Sequence, residues 1–357
     1  MTIKAGFCSD FCLGYKFRHM TAEKHEAFTK MLLESWQEFK DFIIGEEGLD
    51  CLFIVGNQFA TPWPRNKVSY TVMEDLKEIT SAGKKVFLIP GHRDTPLYTS
   101  EDIHAMQILG SLDGVETLAP KQMNVISGKI MAPLHVATIA GQEVEIFAPP
   151  SPLPSLSDYS IDLKPDDTKI SLFMFHGRVE SGESDNESRI IDKNVVATFD
   201  DLKQLDDMGI DYIVIGGPAA VPDSLPPLKN SRIILAPPIH PVEFVYADGI
   251  AGLNVTELSN PDLQENMKAP DNKAIIGNLE EFSPYIIVRE SYDVTGESPD
   301  DCNAHMLNRL RNISAGTNLV QFCIDGTMDR VDHMKLQVAE VMRMGKLKNF
   351  YFEFVDQ

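Results

Sequence analysis

Along its first two thirds, the chain alternates short apolar runs with segments whose apolar residues return every three or four positions, which restricts it to an α/β architecture. Ile3–Cys8 reads as a first strand. Behind it Phe28, Met31, Leu32, Ser35, Trp36, Phe39, Phe42 and Ile43 recur at helical spacing, with Thr21 placed to cap the helix start. Cys51–Val55 is a second strand, residues 72–81 a helix closed by Gly83, and residues 86–89 a third strand. Residues 134–147 alternate in a β manner, and the Pro- and Ser-rich segment 149–167 reads as a loop or crossover. A strand at 170–175 leads into an acidic, small-residue stretch at 180–188, whose charges suit an exposed loop. A helix at 200–208 and a strand at 211–215 complete the pattern.

The texture changes after Pro237-Pro238-Ile239-His240-Pro241. Strands are expected near Phe244, near Val255 and at 285–288, followed by a helix at 299–313, a strand at 319–324, a helix at 331–342 and a last strand at 350–354. A chain of 357 residues exceeds one typical core, so two domains are expected, 1–240 and a small α+β domain at 241–357.

Charge and cysteine content narrow the function classes. The formal net charge is −21, and no Lys/Arg run stands out, which argues against tight autonomous DNA binding because phosphate neutralisation supplies most of that affinity. The five cysteines are scattered without zinc-finger spacing and suit free thiols in a reducing cytoplasm. No apolar run approaches the roughly 20 residues that span a bilayer, and the N-terminal residues show no signal-peptide pattern.

Functional groups in α/β folds gather just past the carboxyl ends of strands. Those ends read Ser9-Asp10-Phe11-Cys12-Leu13-Gly14-Tyr15-Lys16, Gly56-Asn57-Gln58-Phe59-Ala60, Pro90-Gly91-His92-Arg93-Asp94, His176-Gly177-Arg178-Val179 and Gly216-Gly217-Pro218-Ala219. Taken singly, each has an ordinary explanation: a turn or cap for Asp10, a small buried side chain for Cys12, hydrogen-bonded histidines for His92 and His176.

Taken in order, the five segments resemble the metal motifs of calcineurin-like metallophosphoesterases, and more narrowly those of the SbcD and meiotic-recombination-eleven double-strand-break repair nucleases. The Asp-x-x-Leu-Gly-Tyr-Lys opening and the lead-in Phe87-Leu88-Ile89-Pro90-Gly91 carry the narrower likeness, which extends over the tail. The resemblance implies a four-layer α-β-β-α sandwich with a small C-terminal capping domain. It also implies a DNA exonuclease ancestry, homodimers formed through nuclease-domain helices, and docking on an SbcC-type ATPase.

The chemistry departs from the family at most of its metal positions. Two divalent cations about 3.5–4 Å apart clamp the reacting oxygens in such enzymes. The resemblance assigns the first metal to Asp10, Cys12, Asn57 and Ala219, and the second to Asn57, His92, His176 and Gly217. Asn57 stands where a bridging carboxylate belongs and compensates no charge. Gly217 and Ala219 offer no side-chain ligand, and Cys12 suits zinc better than manganese. Arg93 occupies the general-acid position, where a guanidinium cannot give up a proton near neutral pH. The expectation is a vestigial centre with no resident metal and no catalysis, serving binding or assembly in DNA repair. The alternative is a weak phosphoesterase holding manganese or zinc at partial occupancy around His176. A charge argument further expects Arg93 to pair with Asp10 or with other acceptors lining the cleft.

Overall fold

Apolar runs bounded by turn residues become strands wherever both of their faces can be covered, and this chain does so along most of its length. A computed structural model describes residues 2–96, 103–118, 125–126, 129–130, 135–149, 156, 160–180, 195–217, 228–242, 244, 250–259, 274–313 and 316–356.

In chain order β1 (Ile3–Cys8) is followed by α1 (Ala22–Gly45), β2 (Cys51–Val55), α2 (Asn66–Ser81), β3 (Lys85–Ile89), α3 (Ala105–Leu109) and β4 (Val115–Thr117). Next come β5 (Val125–Ile126), β6 (Lys129–Ile130), β7 (His135–Ile139), β8 (Gln142–Phe147), β9 (Ser160–Ile161), β10 (Ile170–Glu180), β11 (Val195–Thr198) and α4 (Phe199–Asp207). Then follow β12 (Tyr212–Gly216), β13 (Arg232–Ala236), β14 (Leu253–Leu258), β15 (Asn278–Glu280) and β16 (Ile287–Asp293). The tail adds α5 (Pro299–Asn312), β17 (Gly316–Asp325), α6 (Arg330–His333), α7 (Val338–Lys348) and β18 (Asn349–Asp356).

Two mixed sheets organise the first part. One runs β15-β14-β1-β2-β3-β4, parallel from β1 to β4 and antiparallel where β14 meets β1 and β15. The other runs β13-β12-β10-β8-β7, parallel except for β7, with β11 beside the end of β10. Strand periodicity shows how they pack. Phe7, Phe53 and Phe87 stack in a row across β1, β2 and β3, at 5.0 and 4.8 Å between centroids. They share one core with Ile146, Leu172, Met174, Tyr212 and Val214 of the second sheet. The alternate residues Phe173, Phe175, Ile213 and Ile215 face away, into a second core with Leu202 and Leu205 of α4. The architecture is therefore mixed α/β, with sheet against sheet and a helix layer behind the second sheet.

Helix ends follow the sequence signals. Thr21 Oγ1 accepts the backbone N–H of Lys24 at 3.3 Å, as an N-cap should. Gly83, at φ +85°, ends α2 in the left-handed region. The helix reaches back to Asn66, earlier than the expected 72, because Arg65 O accepts Val68 and Ser69 N–H in its first turn.

The chain divides into two compact units, residues 1–16, 29–240 and 249–282 in one, and 17–28, 241–248 and 283–357 in the other. Residues 249–282, beyond the boundary read at 240, group with the first unit because β14 pairs with β1 from Ile3↔Leu258 to Phe7↔Asn254. The second unit is a parallel sheet β16-β17-β18, its core of Val320, Phe322, Ile324 and Phe352 packed with Cys302, Met306, Leu310 and Val341. Two expectations fail there. Phe244 lies in a 3₁₀ turn rather than a strand, its ring beside Phe17 and Tyr351. The helix expected at 331–342 is broken into α6 and α7, because Asn303 Oδ1 takes the Gln337 N–H at 2.7 Å and turns the chain between them. The acidic residues 181–188 lie outside the described residues.

No helix among the described residues is long and apolar enough to cross a membrane. On α1, Phe28, Trp36 and Phe39 are fully buried, and Trp36 Nε1 donates to Asp75 Oδ2 at 2.8 Å.

Candidate functional site

The loops after β1, β2, β3 and β12, together with His176 from within β10, bring most of the singled-out residues together. The β1 and β2 loops are laced by backbone: Asp10 N–H donates to Gly56 O at 3.0 Å, Cys12 N–H to Asn57 O at 2.9 Å and Leu13 N–H to Gln58 O at 3.1 Å. This lacing holds Asp10, Cys12 and Asn57 at φ 49°, 46° and 52°, in the left-handed region. Each such residue costs on the order of 1–3 kcal/mol unless its surroundings compensate. Asp and Asn tolerate that region through their short polar side chains, and at Cys12 the thiol turns toward Asp10 Oδ1.

Two glycines make room for the cluster. A Cβ on Gly56, at φ +95°, would lie 2.2 Å from His176 Cδ2, and one on Gly91 would lie 2.3 Å from Asn57 Oδ1. Only glycine lets the strand ends approach this closely.

The side chains meet at Asp10. His176 Nε2 lies 3.0 Å from Asp10 Oδ2 and 3.1 Å from Oδ1. Asn57 Nδ2 donates to Asp10 Oδ1 at 2.8 Å, and Ser9 Oγ donates to Oδ2 at 2.9 Å. Gly217 contributes no side chain, but its N–H donates to Ser9 Oγ at 2.9 Å. Asn57 Oδ1 accepts the Arg93 N–H at 3.0 Å, so the orientation of its amide is set from both ends.

Burial pushes the Asp10 carboxyl up, but His176, Asn57 and Ser9 together hold it below its ordinary value. Burial likewise disfavours the His176 imidazolium, and the Asp10 charge outweighs it and moves its pKa upward. The side chain that meets Asp10 is therefore His176 and not Arg93, because β10 delivers the imidazole to the carboxylate. The Arg93 guanidinium lies over the Tyr15 ring, 5.2 Å from its centroid.

The remaining positions are peripheral. Cys12 Sγ is 4.0 Å from Asp10 Oδ1, and the His92 ring is 5.9 Å from that of His176. Ala219 lies outside the described residues. His240 does not join the cluster; it is fully buried between Phe11 O, 2.8 Å from Nδ1, and Ser35 Oγ, 2.7 Å from Nε2.

Sequence reasoning missed Asp94. Its carboxylate, fully buried, accepts the N–H groups of Phe59 at 2.8 Å, Gly91 at 2.9 Å and Gln58 at 3.1 Å, clamping the β2 loop to the β3 loop. Burial raises it to about 6 despite those donors. The only signal was an acid three residues after a strand-end glycine. Ser9 was missed as well, its hydroxyl giving nothing away until Gly217 is brought beside it.

This donor set does not fit two divalent cations. A bridging position must neutralise charge, and Asn57 brings none; its Nδ2 already donates to Asp10. Among the described residues no group of three or more His, Cys, Asp or Glu side chains is arranged to hold a metal ion. The Asp10 oxygens are already engaged by Ser9, Asn57 and His176. Compared with protein-family models and with curated proteins, the chain matches none.

Proposed function

We propose that the chain is a non-catalytic relative of the SbcD-type repair nucleases, a four-layer α-β-β-α sandwich with a small capping domain that serves as a binding or assembly subunit. One observation carries the reading. Five strand-end segments that resemble a two-metal phosphoesterase centre, in the right order, meet around Asp10, yet they meet as a hydrogen-bonded ion pair. Sheet packed on sheet through Phe7, Phe53 and Phe87 suits that fold, as does the small α+β tail. DNA processing comes from the resemblance alone, and with a net charge of −21 the chain would reach DNA through a partner, an ATPase of the SbcC type being the family's choice.

The test is calorimetric titration of chelator-free protein with manganese and with zinc, paired with a nuclease assay on linear duplex. No stoichiometric binding and no metal-dependent cleavage are expected. Stoichiometric binding that disappears in His176→Ala, together with cleavage, would overturn the proposal in favour of an altered-metal phosphoesterase.

A further inference from the structure

Five strand ends are joined here by one unbroken chain of polar contacts. The Arg93 N–H from the β3 loop donates to Asn57 Oδ1 in the β2 loop at 3.0 Å, and Asn57 Nδ2 donates to Asp10 Oδ1 in the β1 loop at 2.8 Å. His176 from β10 meets both oxygens of Asp10, and Gly217, just past β12, reaches Oδ2 through Ser9. Both oxygens of the single carboxylate are engaged, by the His176 ring and by the neutral amide of Asn57.

Consider Asp in place of Asn57. One of its oxygens could keep the Arg93 N–H. The other would face Asp10 Oδ1 across the present 2.8 Å with no hydrogen between them. Two carboxylates at that separation cannot both stay ionised in a buried site unless a cation or a shared proton joins them. These residues are 1% exposed at Asn57, 6% at His176 and 9% at Asp10, so water screens the repulsion poorly.

We infer that Asn57 and His176 have taken over the cross-linking of these strand ends that shared cations would otherwise perform, leaving a structural lock independent of metal, and that the single change Asn57→Asp reverts it to a metal-dependent one. The comparison with a cation-bridged form rests on the proposed ancestry; the lock itself rests on the contacts above.

The experiment is thermal unfolding of wild type, Asn57→Asp and Asn57→Ala at neutral pH, each in excess chelator and in millimolar manganese or zinc. Wild type is expected to melt at the same temperature in all three. Asn57→Asp is expected to fall by roughly 5 °C in chelator and to recover in metal, whereas Asn57→Ala, which loses the hydrogen bond without adding charge, falls equally in every condition. If Asn57→Asp does not fold in chelator, the yield of soluble protein refolded with and without manganese replaces the melt; rescue by metal supports the lock, and failure in both overturns it. An Asn57→Asp variant that melts with wild type in chelator, or that ignores metal, also overturns it. A wild-type melting point that itself rises with metal overturns both this inference and the non-catalytic reading, so the two fail distinguishably.

Discussion

At the scale of single residues, the most informative groups are those whose burial dictates their charge. The His240 ring nitrogens meet Phe11 O and Ser35 Oγ, and the Phe11 ring packs edge-on 5.7 Å from it. Burial lowers its pKa to about 4 from an ordinary 6.5. A histidine whose folded pKa is depressed binds more protons unfolded than folded, so its contribution is complete above the unfolded value and is lost as pH falls from about 6.5 to about 4. The stability advantage of wild type over His240→Gln should therefore shrink by roughly 3 kcal/mol between neutral pH and pH about 4, read from urea unfolding at each pH. An advantage that stays constant would remove His240 as the cause. The same logic of burial separates Asp10, met by the His176 ring, from Asp94, met by backbone N–H groups.

At the scale of elements, local signals governed the starts of helices better than their continuity. Ser298 caps α5 by accepting the Asp301 N–H, while its hydroxyl donates to Asp301 Oδ2 at 2.6 Å and Pro299 opens the helix. Ser298→Ala should cost about 1 kcal/mol, measured by denaturant unfolding followed through the far-UV signal; no change in midpoint would mean that water replaces the cap. The break between α6 and α7 could not be foreseen in this way. Residues 331–342 keep a helical apolar period, and what divides them is Asn303, on α5, taking the Gln337 N–H. A distant side chain outbid the local pattern.

At the scale of the whole molecule, the change of texture at 237–241 marks a change in the path of the chain rather than the end of the first sheet. β14 returns to pair with the full length of β1, and Asn254 Nδ2 reaches Leu235 O at 2.7 Å and Ile275 O at 3.1 Å. A chain truncated after His240 would leave unpaired the edge of β1, the strand that leads into Asp10. Such a chain should lose its cooperative thermal transition by circular dichroism; retention of the wild-type transition would show that β14 is dispensable.

The α/β class, the principal strands and the five strand-end segments were legible in the sequence, because period and turn chemistry are local properties that survive without tertiary context. The side-chain chemistry of these segments was legible too, since Gly217 has no side chain in any fold and Asn57 no charge. Only the tertiary structure decided what the surviving residues do with one another. That His176 and not Arg93 answers Asp10, that Ser9 relays Gly217 to the same carboxylate, and that Asp94 ties two loops all depend on approaches of about 3 Å between segments far apart in the chain. No spacing in the sequence encodes such approaches; the packing of two sheets does.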